Sequence, residues 1–191
     1  MLYLEKFRFQ SPKLFIFYLG GSFENCKIEM HDVVFVIAKT DDEATEKIKK
    51  KWLGKEKSLH VDSWFIAENI DGYTVKISET KPQTCDTHLY FVNLGFYKSD
   101  VFKEDHFMTL VAANSKSQAI ENAKAKSPPG AEMLHSDNVH DLDDCIRLDE
   151  VDNYYIALEY TGIHHEIKIV NGYQKLRPTG MYGVTPSTSS S

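Results

Sequence analysis

Residues 14–62 of this chain lie over residues 89–137 at a constant offset of 75, without a gap, and fourteen of those 49 positions are identical. Composition alone would give roughly three such matches. The matches include Leu19/Leu94, Gly20/Gly95, Glu29/Glu104, His31/His106, Val36/Val111, Ala44/Ala119, His60/His135 and Asp62/Asp137. A chain that repeats itself in this way must build one supersecondary unit twice. The register then slips, because Ile70-Asp71-Gly72-Tyr73 corresponds to Val151-Asp152-Asn153-Tyr154 at an offset of 81. The extra residues are assigned to the acidic stretch Asp141–Glu150, as an insertion absorbed by a surface loop or strand connection.

Each unit reads as strand, strand, helix, strand, strand. Leu14–Leu19 and His31–Ala38 are almost unbroken apolar runs, the pattern of strands covered on both faces. Thr40-Asp-Asp-Glu43 opens a helix with a capping box, and Ser115-Lys-Ser-Gln118 repeats the device. Ala44, Ile48 and Trp52 then supply a narrow apolar stripe, matched by Ala119 and Ala123. Further strands are expected near Val61–Ala67 and Tyr73–Ile77, with counterparts near Val139–Leu148 and Tyr154–Leu158. A four-stranded sheet with one helix leaves a face bare, and the other copy is the economical cover. The expected fold is therefore α+β, a tandem repeat of a β-β-α-β-β module with the copies related by an approximate two-fold axis; a continuous eight-stranded sheet is the alternative. The boundaries expected are 1–12 for an N-terminal extension, 13–80 for module 1, 81–87 for a linker and 88–161 for module 2. Residues 162–177 read as a C-terminal β-hairpin turning at Asn171-Gly172, and 178–191 as a flexible tail.

Composition narrows the function classes. A net charge of −6 and a pI near 5.7 disfavour nucleic acid, which needs a basic face. The local run Lys47, Lys49, Lys50, Lys51, Lys55 and Lys57 reads as a solvated helix end favoured by the helix dipole. No apolar run approaches the roughly 20 residues of a membrane span, and the charges in MLYLEKFRFQ do not suit a secretory signal. Cys26, Cys85 and Cys145 are odd in number and unmatched between copies, as expected of reduced thiols in a cytoplasm.

Chemistry could sit on the polar residues that both copies share. These are Glu29, His31, His60 and Asp62 in the first copy and Glu104, His106, His135 and Asp137 in the second. Residues two apart on a strand share a face, so Glu29 lies beside His31 and His60 beside Asp62. If strand two, helix and strand three form a crossover, both pairs start parallel strands at one end of the sheet, where Gly20 also arrives. Two imidazoles with one or two carboxylates can bind zinc or iron, and a His beside an acid can act as a general base. The alternative is that these residues hydrogen-bond main chain at strand ends and fix the loops. His164-His165-Glu166 reads as plain surface, and Trp52 and Trp64 as core aromatics. No P-loop, G-x-S-x-G, G-x-G-x-x-G or paired-cysteine motif occurs.

LFIFYLGG, the following E-x-HDVVFVIA, LHVDSW and IDGYTVKI resemble the bacterial family named domain of unknown function 1543. That family carries one or two copies of such a domain, which implies the repeat found here. Copy two departs from the pattern where Phe107 follows His106 and where Asn153 stands for the Gly of DGY. The resemblance supplies no activity. The expectation is a small cytoplasmic bacterial protein acting as a binding or interaction module without catalysis, towards a protein or small-molecule partner, with self-association open. The alternative is a metal-dependent enzyme, a hydrolase by preference, in which a divalent metal on Glu29, His31, His60 and Asp62 is the cofactor.

Overall fold

The structure is a computed structural model describing residues 8–83, 86–128, 132–135, 145–177 and 180–181, with residues 132–135, 177 and 180–181 described by main chain alone. It is a mixed α and β chain, mostly antiparallel sheet, with two helices among the described residues. It divides into two compact units, one taking residues up to Glu68 and from Glu166 onward, the other Asn69–His165.

In the first unit, β1 (Arg8–Gly21) runs down the centre of a sheet. β2 (Met30–Thr40) pairs with it on one side and β3 (His60–Ile66) on the other, both antiparallel to it. β2 and β3 are thus parallel to each other, joined by helix α1 (Asp41–Lys51), the crossover that the sequence implied. Phe15, Phe17 and Leu19 alternate onto the face that packs with Val36, Ala44, Ile48, Trp52 and Trp64. Leu14, Ile16 and Ile37, on the opposite face, are buried as well, which accounts for apolar runs without period-two alternation. Thr40 Oγ1 accepts from the Glu43 N–H at 3.2 Å, and Glu43 Oε2 accepts from the Lys39 N–H at 2.9 Å. The capping box is formed, with its return bond reaching the residue before the cap. The basic run is not wholly solvated: Lys47 and Lys51 donate to the Ile37 and Phe35 carbonyls of edge strand β2.

In the second unit, β6 (His88–Tyr97) pairs with β7 (Glu104–Ala113) on one side and with both β8 (Glu132–His135) and β9 (Cys145–Arg147) on the other. Helix α2 (Lys116–Lys126) buries Ala119 and Ala123, and its Ser115–Gln118 box closes in the same way as the first. Two hairpins, β4 (Asn69–Ile70) with β5 (Tyr73–Ser78) and β10 (Glu150–Val151) with β11 (Tyr154–Tyr160), join through β5 and β11 into a separate four-stranded sheet. Both turn on two residues with positive φ, Asp71-Gly72 and Asp152-Asn153, as a type I′ turn requires. Asp71 also accepts from the Ala112 N–H and pairs with Lys126.

Three expectations are corrected. The sheets do not have four consecutive strands: β5 and β11 leave to pair with each other, and in the first unit the free edge of β3 is occupied instead by β12 (Val170–Arg177). The hairpin expected over 162–177 does not form. β12 is one continuous strand along β3, and Asn171-Gly172, with Gly172 at φ +133°, lies in a bulge within it. The chain reverses later, where Arg177 pairs with Gly180 of β13 (Gly180–Met181), inside the segment expected to be a tail. Third, the insertion falls between His135, still paired with Gly95, and Cys145, paired with Val92, so it cuts the third strand in two. Residues 136–144 between them lie outside those described, as do 1–7 of the expected extension, 84–85 of the linker and 178–179 and 182–191 of the tail.

Candidate metal centre

The site begins with a missing side chain. Gly20 on β1 is paired with His31 on β2 and with His60 on β3, so three strands present a row His60–Gly20–His31 on one face of the sheet. Strands lie about 4.8 Å apart, so the two imidazoles stand on backbones about 10 Å apart and lean over the glycine between them. A Cβ at Gly20 would lie 2.4 Å from His60 Nε2 and 2.8 Å from Asp62 Oδ2. A bulge in β3 skips Asp62, because Leu19 pairs with Val61 and Tyr18 with Ser63. Asp62 stays on the histidine face while Val61 and Trp64 both reach the core. Glu29 closes the group from the residue before β2.

The four side chains form a ring of alternating nitrogen and oxygen. His31 Nε2 is 3.4 Å from Glu29 Oε1 and 3.1 Å from Asp62 Oδ2; His60 Nε2 is 3.2 Å from Glu29 Oε1 and 3.4 Å from Asp62 Oδ1. Ligand atoms around a tetrahedral ion with bonds of about 2.1 Å are about 3.4 Å apart. The ligating atoms of Glu29, His60 and Asp62 lie within 4.8 Å of one another.

His60 is 2% exposed, and its Nδ1 is 3.0 Å from the Ser58 carbonyl. A carbonyl can only accept, so Nδ1 carries the proton and, in the neutral ring, Nε2 directs its lone pair at the two carboxylates. That contact becomes favourable when a cation lies between the groups, or when the ring takes a second proton and donates from Nε2 as well. Asp62 Oδ2 agrees: it is buried and has no hydrogen-bond partner, although His31 Nε2 is 3.1 Å away. A backbone carbonyl holding the remote ring nitrogen is the usual outer support of a metal-binding histidine.

Two aromatic rings steady the imidazoles. Tyr18 stacks on His31 at 5.1 Å and 6°, and Tyr173 lies over His60 at 4.4 Å and 35°. Tyr173 belongs to the bulged part of β12, and nothing in the repeat pointed to it, since β12 has no counterpart in the other copy. Ser58 likewise acts through its main chain, which carries no sequence signal.

The second copy is less complete. Gly95 is paired with His106 and His135, so the His–Gly–His row recurs, and a Cβ at Gly95 would lie 2.2 Å from Glu104 Oε1. His106 Nδ1 is instead 3.2 Å from Asn93 Oδ1, where the first copy has Tyr18. The His135 side chain and Asp137 lie outside what is described. Asp105 is engaged elsewhere, its carboxyl lowered to about 2 by hydrogen bonds from Lys103 and Lys98. The second unit also has a cleft of about 480 Å³ over Leu89, Ile156 and Leu158. Its mouth groups satisfy one another, Asp149 taking both His88 and Arg147. Trp52 and Trp64 are core residues, each 8% exposed. Cys26 and Cys145 are free thiols. Among the described residues no helix is long and apolar enough to cross a membrane.

Fold and site together define a small α+β protein with a His₂/carboxylate₂ cluster on one sheet face. The model of the family described as Domain of Unknown Function (DUF1543) matches residues 26–77, a span that includes all four cluster residues. The chain is 30% identical to protein Il1583 from Idiomarina loihiensis, whose crystal structure superposes with a TM-score of 0.66 over 85% of this chain and 97% of that one. No curated protein matches the chain.

Proposed function

We propose that the chain is a small cytoplasmic bacterial binding module whose centre is a divalent transition-metal ion held by Glu29, His31, His60 and Asp62. The observation that carries this reading is the orientation of buried His60, whose Nε2 faces two carboxylates while Nδ1 is committed to Ser58. Two imidazoles select zinc, iron or a neighbouring ion over magnesium or calcium, which prefer all-oxygen sites. With two carboxylates the loaded centre is neutral, which suits ion retention in a partly exposed position. The net negative charge of the chain favours a protein or small-molecule partner over nucleic acid.

A metal-dependent hydrolase using the same four residues is the second reading. It is favoured by the exposure of Glu29 and His31, 45% and 35%, which leaves the outer side of the centre open to water. The binding reading ranks first because the sequence carries no P-loop, G-x-S-x-G or other specific catalytic motif. We also read residues 13–80 and 88–161 as two copies of one module about an approximate two-fold axis. In its support, the β5–β11 ladder is centred on Lys76 and Ala157, whose separation of 81 equals the sequence offset of the two hairpins.

The test is metal analysis of protein purified without an affinity tag, followed by titration of the metal-free protein with Zn²⁺, Co²⁺ and Mg²⁺. One tightly bound transition ion per chain, lost in His60→Ala, is expected. Failure of the wild type to take up Zn²⁺ or Co²⁺ refutes both readings, and a metal-loaded protein that hydrolyses simple esters or phosphoesters promotes the second.

A further inference from the structure

The row that holds the centre is longer than three residues. On the far side of β3, Lys175 of β12 is paired with His60, so the register runs Lys175–His60–Gly20–His31 across four adjacent strands. Paired residues in antiparallel strands share a face, so Lys175 leaves the sheet on the side where the two histidines lean together. Its neighbour Gln174 is 2% exposed and faces the other way, and Tyr173, 56% exposed, covers the His60 ring. The bulge between Asn171 and Gln174 sets this phase. Lys175 is exposed and makes no ion pair with any described residue. Its backbone stands about 10 Å from that of Gly20, a span that a four-carbon arm covers most of, leaving room for one small ligand.

The inner side of the centre is closed by the β1 backbone at Gly20, where not even a methyl group fits. A further ligand comes from the outer face, which Tyr173 and Lys175 flank on one side and the partly exposed Glu29 and His31 on the other. Resting on the metal reading above, we propose that the loaded centre binds a small oxyanion, a carboxylate or phosphate, with one oxygen on the metal and another on the Lys175 ammonium, beside the Tyr173 ring. The chemistry selects for negative charge: the ion and its two carboxylates cancel, so Lys175 is the uncompensated charge at the opening. A neutral ligand would leave it unanswered, and a cation would be repelled.

The experiment uses Co²⁺ as the ion, because its visible absorption responds to each change of ligand. Inorganic phosphate and acetate are titrated separately into Co²⁺-loaded protein. A saturable spectral change with at least one is expected, and the stronger of the two identifies the oxyanion type. In Lys175→Met, Co²⁺ affinity should be unchanged while anion affinity falls roughly tenfold, the loss of one charge-assisted hydrogen bond. Co²⁺ binding with a spectrum indifferent to both anions overturns the proposal, as does equal anion affinity in Lys175→Met. Absence of Co²⁺ binding in the wild type strikes instead at the metal centre itself.

Discussion

Replacing Gly20 by alanine places one methyl group at the middle of the site. The added carbon would lie 2.4 Å from His60 Nε2, 2.9 Å from His60 Cε1 and 2.8 Å from Asp62 Oδ2. Comfortable separations are about 3.5 Å or more, so the overlap with the imidazole is about 1 Å. His60 cannot give way easily: it is 2% exposed, tied to Ser58 and covered by Tyr173. The ring must leave its rotamer or the strand must move, at a cost of about 1 to 3 kcal/mol in the metal-free protein. The Nε2 position is lost in either case, so metal affinity should fall by about a hundredfold or more. Urea unfolding of the metal-free protein gives the first quantity and Co²⁺ titration the second. Gly21→Ala is the control. Its methyl would meet Trp52 Cζ2 at 2.7 Å, the Ser58 hydroxyl at 3.1 Å and the Ser58 carbonyl at 3.3 Å, so it should destabilise while reaching the site only through Ser58, lowering metal affinity far less than Gly20→Ala. If Gly20→Ala keeps wild-type Co²⁺ affinity, the row His60–Gly20–His31 is not a metal site and the reasoning from Gly20 fails.

His60→Ala should cost the metal-free protein about 1 to 3 kcal/mol through its orphaned partners, and added Zn²⁺, expected to raise Tm in the wild type, should leave that of the variant unchanged. Thr40→Ala should cost about 1 kcal/mol by freeing the Glu43 N–H, as read by thermal unfolding. The Glu43 carboxyl lies below its ordinary value because burial, which pushes it up, is outweighed by the hydrogen bonds from Lys39 and Lys47 and the charge of Lys47. The unfolded chain therefore holds that proton more tightly, so the contribution of Glu43 is present above about pH 4.5 and disappears as pH falls through the lower folded value. Glu43→Gln should be less stable than the wild type near neutral pH and should converge with it in acid; a constant difference would contradict the assignment. A chain ended after Thr80 lacks β12 and leaves the edge of β3 open, so it should self-associate in light scattering, where a clean monomer is the adverse result.

Helices, caps and the first three strands were legible because local chemistry specifies them: the boxes at Thr40 and Ser115 both close, and the stripe Ala44, Ile48, Trp52 is buried. The clustering of Glu29, His31, His60 and Asp62 followed from strand periodicity and a crossover, both nearly obligatory. Asn171-Gly172 misled because the same dipeptide serves a two-residue turn and a bulge, and a flanking strand with an open edge decides between them. β3 offered such an edge, which no local pattern announces. The departure of β5 and β11 was illegible for the same reason, since pairing partners far apart in sequence leave no periodic trace. Tyr173 and Lys175 came with that strand and could not be found before it was placed.

The partnership of β3 and β12 sets an order of assembly. A ribosome delivers His31, His60 and Asp62 early, but the strand that pairs with His60 emerges roughly a hundred residues later, after the whole of the other unit. Until then the first sheet ends at β3 with a bare edge, and the ring that covers His60 is missing. Arrest or cleavage before β12 thus yields a chain that keeps Tyr18 over His31 but lacks the ring that covers His60. If the proposed centre takes up its ion, capture ahead of the last strand would couple folding to metal supply.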